Sequence, residues 1–331
     1  MKSVSIIGDG GWGTALALVL ARKGLAVRVW GPFPEYLGLI RQRGENVKFL
    51  PGVPLPAELG WTADRAAAVD GTDVVVLAVP SKYFRATLQP FAPLVPRKAL
   101  VVSVTKGLDQ ATGHRMTQVA EEILGRGPIA ALSGPSHAGE VARGIPTAVT
   151  IACADHARAV TLQKGLSHDA FRVYTSDDVA GVELGGALKN VMALAAGACD
   201  GLGFGDNTKA ALITRGLAEM TRLGCALGAQ RATFAGLSGL GDLVVTCTSR
   251  HSRNRAVGER LGRGEGLAGI LQSMEQVAEG VWTCVIARDL ARRNDLRVPI
   301  TEEVCAVIEE GKNPRLAVQS LFSRELRPEQ D

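Results

Sequence analysis

The stretch Val4–Gly13, V-S-I-I-G-D-G-G-W-G, restricts this chain more than any other. A short apolar strand runs directly into Gly8-x-Gly10-x-x-Gly13, and Thr14–Lys23 continues as a helix that Gly24 stops. Each glycine has a mechanical task in such a turn. Gly8 permits the sharp reversal, Gly10 lets a pyrophosphate approach the backbone, and Gly13 lets helix and strand pack closely. The helix start then offers unpaired N–H groups and a positive dipole end to phosphate oxygens. A chain with 39 glycines produces such spacings by accident, and an ordinary glycine turn is the competing reading. The position at a strand-to-helix junction favours the dinucleotide site.

The remaining chain supplies the rest of a parallel sheet. Ala26–Trp30 reads as a second strand, completing a β-α-β unit. Leu50–Pro56 is a proline-punctuated loop, and Asp64–Val69 a short helix. Asp73–Pro80, D-V-V-V-L-A-V-P, is a β-branched run of the kind buried on both faces of a sheet. Ala99–Thr105, Ile129–Leu132, Ala148–Cys153 and Phe171–Tyr174 read as further strands. From about Ser176 the texture changes to long helical stretches, notably Val179–Cys199, Asn207–Leu227 and Leu267–Ala291. The expected class is therefore α/β, an N-terminal Rossmann-type doubly wound sheet over 1–180 followed by an all-α C-terminal domain over 181–331. The polar tail after Leu326 is expected to be mobile.

Composition narrows the function classes. A formal charge of +4 is small and scattered, and no Lys/Arg block is interleaved with aromatics, which argues against a nucleic-acid partner. Six widely spaced cysteines without C-x-x-C, and five histidines without ligand spacing, argue against a disulfide framework or a metal site. The first strand starts within a few residues of Met1, leaving no room for a signal peptide, and no uninterrupted apolar run is long enough for a membrane span. The expected location is cytoplasmic. The helical half can bury its apolar surface within the chain or against a second subunit, so a homodimer stays open.

Lys189 is the most informative side chain. Across Ala187–Cys199, only Lys189 and Asn190 are polar in a stretch apolar on nearly every face. Such a helix is buried, and its lysine either snorkels to an edge or lies in a polar cleft where desolvation lowers its pKa. Lys106 follows a buried-type strand at its carboxyl end, where ligands gather in open α/β sheets. Ser133-Gly134-Pro135-Ser136 places small residues at another strand end; an ordinary turn and a loop lysine are the bland alternatives. Gly236–Arg255 is dense in turn residues, with Asp242 in a glycine-rich turn. Its Ser252-Arg253-Asn254 suits a phosphate, because arginine offers charge and a fork of donors; a solvated basic loop competes. His137 and His251 receive no role. At the end of the second strand stand Gly31-Pro32-Phe33 rather than an acidic residue, with Glu35, Arg41 and Arg43 beyond, so NAD and NADP are equally open.

With these segments in hand, the chain resembles the bacterial NAD(P)-dependent glycerol-3-phosphate dehydrogenases over nearly its whole length. The resemblance rests on G-D-G-G-W-G-T-A-L-A, L-A-V-P-S near 77–81, T-K-G-L at 105–108 and L-S-G-P-S at 132–136. It continues through E-L-G-G-A-L-K-N at 183–190, G-L-G-D-L-V-V-T-C-T at 239–248, S-R-N-R at 252–255, Q-V-A-E-G at 276–280 and P-I-T-E-E at 299–303. Gly11, Pro32-Phe33 and His137 depart from the family's usual residues.

The resemblance implies reversible hydride transfer between NAD(P)H and dihydroxyacetone phosphate, giving sn-glycerol 3-phosphate for glycerophospholipid synthesis. It implies Lys189 as general acid/base with Lys106 and Asp242 beside the reacting centre. The same resemblance makes Gly134, Ser136, Asn190, Thr246, Ser252, Arg253 and Asn254 substrate contacts, joined by Lys106, Lys189 and Asp242. Cofactor contacts would be Gly8, Gly10, Gly11, Trp12, Gly13, Lys106, Ala138, Arg253, Val277 and Glu279, with no metal. A related 3-hydroxy-acid or sugar-acid dehydrogenase and a catalytically silent dinucleotide sensor are the rival readings.

Overall fold

The computed structural model describes residues 1–326, 328 and 329. The tail beyond Leu326, expected to be mobile, falls largely on 327, 330 and 331, which lie outside the described residues. The first half is one eight-stranded sheet: β1 (Ser3–Ile7), β2 (Ala26–Trp30), β3 (Gly60–Thr62), β4 (Val74–Leu77), β5 (Leu100–Ser103), β6 (Ala130–Ser133), β7 (Thr147–Ala152) and β8 (Phe171–Ser176). The spatial order is β3-β2-β1-β4-β5-β6-β7-β8. Every pairing is parallel except β6 with β7, where the chain reverses. The helices between strands are α1 (Gly11–Arg22), α2 (Pro34–Arg43), α3 (Arg65–Val69), α4 (Ser81–Leu88), α5 (Met116–Leu124), α6 (Ala138–Ala142) and α7 (His156–Leu166).

Strand order runs outward in both directions from β1 and β4, so the switch point lies between them, immediately beyond the Gly8 turn. The β-branched run is buried at all four positions of β4, as a strand covered on both faces requires. It stops at Leu77 rather than Pro80, because Ala78–Pro80 turn away to form the floor under Gly8. Two elements had no strong sequence signal, the three-residue edge strand β3 and α2. The latter begins at Pro34 and closes on a left-handed Gly44.

After Ser176 the chain is helical: α8 (Val179–Gly201), α9 (Asp206–Ala226), α10 (Arg231–Phe234), α11 (Asp242–Thr248), α12 (Arg253–Gly262), α13 (Leu267–Gln272), α14 (Gly280–Arg293), α15 (Pro299–Glu309) and α16 (Pro314–Phe322). The expected single stretch Leu267–Ala291 is two helices, α13 and α14, broken over 273–279. Asp242 is the first residue of α11 rather than part of a turn, and Ser252–Asn254 form the cap and first turn of α12 rather than a loop.

The axis of this half is α8, buried nearly throughout because its surface is apolar on nearly every face. Long and apolar enough by composition to cross a membrane, it is instead a core helix, with 83% of its most apolar window buried. α12 lies against it at backbone distance. A Cβ on Gly258 would overlap the Leu194 carbonyl, and one on Gly197 would overlap the Arg255 carbonyl. Only hydrogen fits between these helices, and this close approach carries the start of α12 to Asn190. At the other end Glu183 of α8 accepts bonds from Arg115 Nη1 (2.6 Å) and from the Thr117 N–H (2.8 Å) and hydroxyl (2.5 Å), fastening α8 to the start of α5.

Candidate active site

Asp242 is the centre of the polar cluster. One carboxylate oxygen accepts from Lys189 Nζ at 2.5 Å and the other from Lys106 Nζ at 2.7 Å. Lys189 also donates to Thr246 Oγ1 (2.7 Å), whose hydroxyl donates one turn back to the Asp242 carbonyl at 2.6 Å. Lys106 reaches the Gly134 carbonyl (2.8 Å) and Ser136 Oγ (3.1 Å). Thus α8, α11, the end of β5 and the turn after β6 meet at one point, and residues from 106 to 246 become a single bonded group.

Lys189 does not snorkel: it is only 5% exposed. Burial drives its ammonium down to about 7, against the raising effect of Asp242 and with a further lowering from Lys106. An amine that titrates near neutrality can give or take a proton at working pH. His137, given no role from sequence, caps α6 beside this cluster, with Nε2 buried and without a partner. Its pKa is lowered by burial and then by the Lys189 charge.

A second group joins the first through Asn190. Its Nδ2 approaches the Lys106 carbonyl (3.4 Å), and its Oδ1 accepts from Asn254 Nδ2 (2.9 Å). Asn254 Oδ1 in turn accepts from the Gly280 N–H at 2.9 Å. Ser252 caps α12, its oxygen accepting from the Arg255 N–H at 3.2 Å, so its own proton stays free to donate. Arg253 donates to the Val277 carbonyl at 3.0 Å. Its side chain is otherwise exposed to solvent. A cation at the first turn of a helix, with a hydroxyl cap and an amide beside it, forms an anion seat.

The glycine turn adjoins this group. A Cβ on Gly8, where φ is +121°, would stand 2.5 Å from the Ala78 carbonyl, and one on Gly13 would overlap the Gly8 carbonyl. Gly10, by contrast, faces open space with nothing within 4 Å. No side chain caps α1, so its first N–H groups point into that space. A cradle that excludes Cβ atoms below and leaves room above fits a pyrophosphate. Ala138 stands 3.8 Å from the Cβ position of Gly11, which sets the starts of α1 and α6 side by side and links the turn to His137 and the lysines.

Two expected cofactor contacts sit differently. The Trp12 indole lies near Phe171, ring centroids 6.4 Å apart, with its Nε1 buried. Glu279 is engaged with Ser81, accepting from its N–H at 2.9 Å and from its hydroxyl, and so bridges the start of α4 and the start of α14. Burial raises the Glu279 pKa. Ser81 is the residue that sequence reasoning passed over; its only signal was its place at the end of L-A-V-P-S. A mostly apolar cavity of about 310 Å³ between α8, α9, α15 and α16 shares no lining residue with these groups. Among the described residues no cluster could hold a metal ion.

A doubly wound sheet with a glycine cradle at its switch point, abutting a helical half that carries a buried lysine, defines a two-part nicotinamide-dependent dehydrogenase. Residues 3–159 match the family model of the NAD-dependent glycerol-3-phosphate dehydrogenase N-terminus, and residues 178–319 that of its C-terminus. The chain is 50% identical over 324 residues to a glycerol-3-phosphate dehydrogenase [NAD(P)+] of Moorella thermoacetica, covering 98% of this chain and 96% of that one. It is 48% identical to the enzyme of the same name from Geobacillus kaustophilus, covering 100% and 97%. The crystal structure of glycerol-3-phosphate dehydrogenase from Coxiella burnetii superposes with a TM-score of 0.94 at 40% identity, over 98% of this chain and 99% of that one. The chain belongs to the NAD-dependent glycerol-3-phosphate dehydrogenase family.

Proposed function

We propose that the protein interconverts dihydroxyacetone phosphate and sn-glycerol 3-phosphate with NAD(P)H, and that Lys189 is its general acid/base. The observation that carries this reading is the buried Lys189–Asp242–Lys106 group, with an amine that titrates near neutrality one helix start away from the glycine cradle. Gly8, Gly10, Gly11 and Gly13 would seat the pyrophosphate on the N–H groups of α1, with Trp12 contributing its main-chain N–H. Lys106, Ala138, Arg253, Val277 and Glu279 would border the rest of the dinucleotide. When bound, the nicotinamide supplies or accepts the hydride.

The substrate phosphate would rest on Ser252, Arg253 and Asn254, with Gly134 and Ser136 along its flank and Asn190 and Thr246 below. In reduction Lys189 Nζ gives its proton to the ketone oxygen and is left as a neutral amine; in oxidation it takes the hydroxyl proton back. Its charge also stabilises the developing alkoxide, and preorganised charge in a dry site is often the largest catalytic contribution. Asp242 holds Nζ in place, and phosphate binding away from the reacting carbon supplies orientation. The same reading assigns 1–180 to dinucleotide and 181–331 to substrate, and a cytoplasmic setting agrees with six free thiols.

The test follows NADH and NADPH oxidation at 340 nm with dihydroxyacetone phosphate, for the wild type and Lys189→Ala. Wild-type turnover is expected, with a loss of about 10²–10⁴-fold in kcat on removing the acid. Unchanged Kd for the dinucleotide, read by fluorescence titration, should accompany that loss. Turnover by Lys189→Ala at the wild-type rate would remove the lysine from the reaction. Activity on other oxo acids, with none on dihydroxyacetone phosphate, would favour a related dehydrogenase.

A further inference from the structure

The end of β2 lacks the acidic residue that holds the adenosine ribose in many dinucleotide sites; Trp30 is followed there by Gly31-Pro32-Phe33. A carboxylate nevertheless occupies that place. A Cβ on Gly31 would overlap Asp9 Oδ2 and stand 2.7 Å from Asp9 Cγ. Asp9 lies inside the glycine turn itself, between Gly8 and Gly10, and its side chain leans across to the β2 terminus to fill the volume a side chain at position 31 would take.

Asp9 is 8% exposed, and Oδ2 is buried without any hydrogen-bond partner. A buried acceptor left unpaired is costly in an ordinary fold and normally finds a donor. Its own backbone N–H bonds the carboxylate and lowers its pKa against the larger raising effect of burial, but no donor reaches Oδ2. Asn46 donates from Nδ2 to the Asp9 carbonyl (2.8 Å) rather than to the carboxylate, and Thr14 does the same at 3.4 Å. Asn46 is itself fixed by Tyr36 Oη (2.6 Å) and the Phe49 N–H (3.2 Å), so the turn is clamped with the carboxylate held toward Gly31. The cation acting on Asp9, Lys48, is exposed, with its ammonium 5.3 Å above the Phe49 ring. A screened surface ammonium offsets a buried carboxylate only weakly.

Resting on the dehydrogenase reading above, we infer that Asp9 replaces the missing β2 acid, accepts hydrogen bonds from the adenosine ribose hydroxyls, and makes the site select NAD(H) over NADP(H). A 2′-phosphate brought to the same place would meet a carboxylate instead of a donor. Gly31 is then required for a second reason: any side chain there would displace Asp9.

The test is fluorescence titration of NADH and NADPH with wild type, Asp9→Asn and Asp9→Ala, each checked for native circular dichroism. Asp9→Asn keeps shape and removes charge, which guards against a packing effect of the alanine. The wild type is expected to bind NADH at least about tenfold more tightly than NADPH, and both variants to bring that ratio within about threefold. An equal or reversed wild-type ratio, or a ratio unchanged in both variants, would overturn the inference while leaving the dehydrogenase reading intact. Failure of folded wild type to bind either dinucleotide would overturn both.

Discussion

Replacing Asp242 by Asn tests the lysine cluster more sharply than deleting the lysine. The substitution keeps the side-chain shape and removes one charge, 2.5 Å from Lys189 Nζ and 2.7 Å from Lys106 Nζ. In the wild type, burial pulls the Lys189 ammonium down to about 7 while Asp242 holds it up. A neighbouring opposite charge at such range shifts a pKa by about 1–3 units. Without it Lys189 would titrate at roughly 4–6, and Lys106, still close and no longer neutralised, pushes in the same direction. At pH 7 the protonated fraction then falls from about one half to between roughly one tenth and one thousandth. Ketone reduction needs that proton, so its kcat should fall by about 5- to 500-fold at pH 7 and recover as the pH is lowered. Oxidation needs the neutral amine, and its rising limb should move to lower pH. The assay is a pair of kcat–pH profiles, one in each direction, followed at 340 nm. A variant that keeps a wild-type limb near pH 7 in both directions would show that this carboxylate does not set the lysine's proton affinity.

Arg253→Ala should raise KM for the phosphorylated substrate by about 10- to 100-fold, the worth of a charge-assisted hydrogen bond, with a much smaller change in kcat; an unchanged KM would move the anion seat away from the start of α12. The stability of folding also carries a pH signature. Lys189 has a folded pKa below its unfolded value, so the unfolded chain binds more protons between about pH 7 and 10.5, and stability should rise with pH across that window by more in the wild type than in Lys189→Met. Urea unfolding at pH 7 and 9 reads this difference, and equal slopes would refute it. Gly258→Val places a branched side chain against the Leu194 carbonyl and should lower the thermal midpoint by many degrees, because backbone cannot move aside as a side chain can. A wild-type midpoint would show that α8 and α12 are not held at backbone contact.

The first β-α-β unit was legible because its signals are local. A strand has period two or a continuous apolar run, a helix has its own stripe, and Gly8, Gly10 and Gly13 mark the junction within six residues. The change at Ser176 from strands to helices was equally plain. What sequence misjudged were ends and breaks. Ala78–Pro80 read as strand because their residues are apolar, but they are needed as the floor of the turn. Leu267–Ala291 read as one helix because 273–279 carry no proline or glycine cluster, yet that break brings the Val277 carbonyl to Arg253 and Glu279 to Ser81.

By itself the amino-acid order determined the class of fold, pointed to a cradle for a dinucleotide, and marked Lys189 as unusual, an ammonium in a mostly apolar stretch that either snorkels to an edge or finds a polar partner. It could not name that partner. Lys189 and Lys106 stand 53 and 136 positions from Asp242, and no periodicity links residues so far apart. Their convergence is decided by packing: α8 buried on every side, α12 pressed to it through paired glycines, and α11 laid across so that one carboxylate faces both amines. Asp9 is the same lesson within a single motif. Its letter occupies a variable position in the glycine turn, and only the neighbouring strand end, emptied by Gly31, gives its carboxylate somewhere to go.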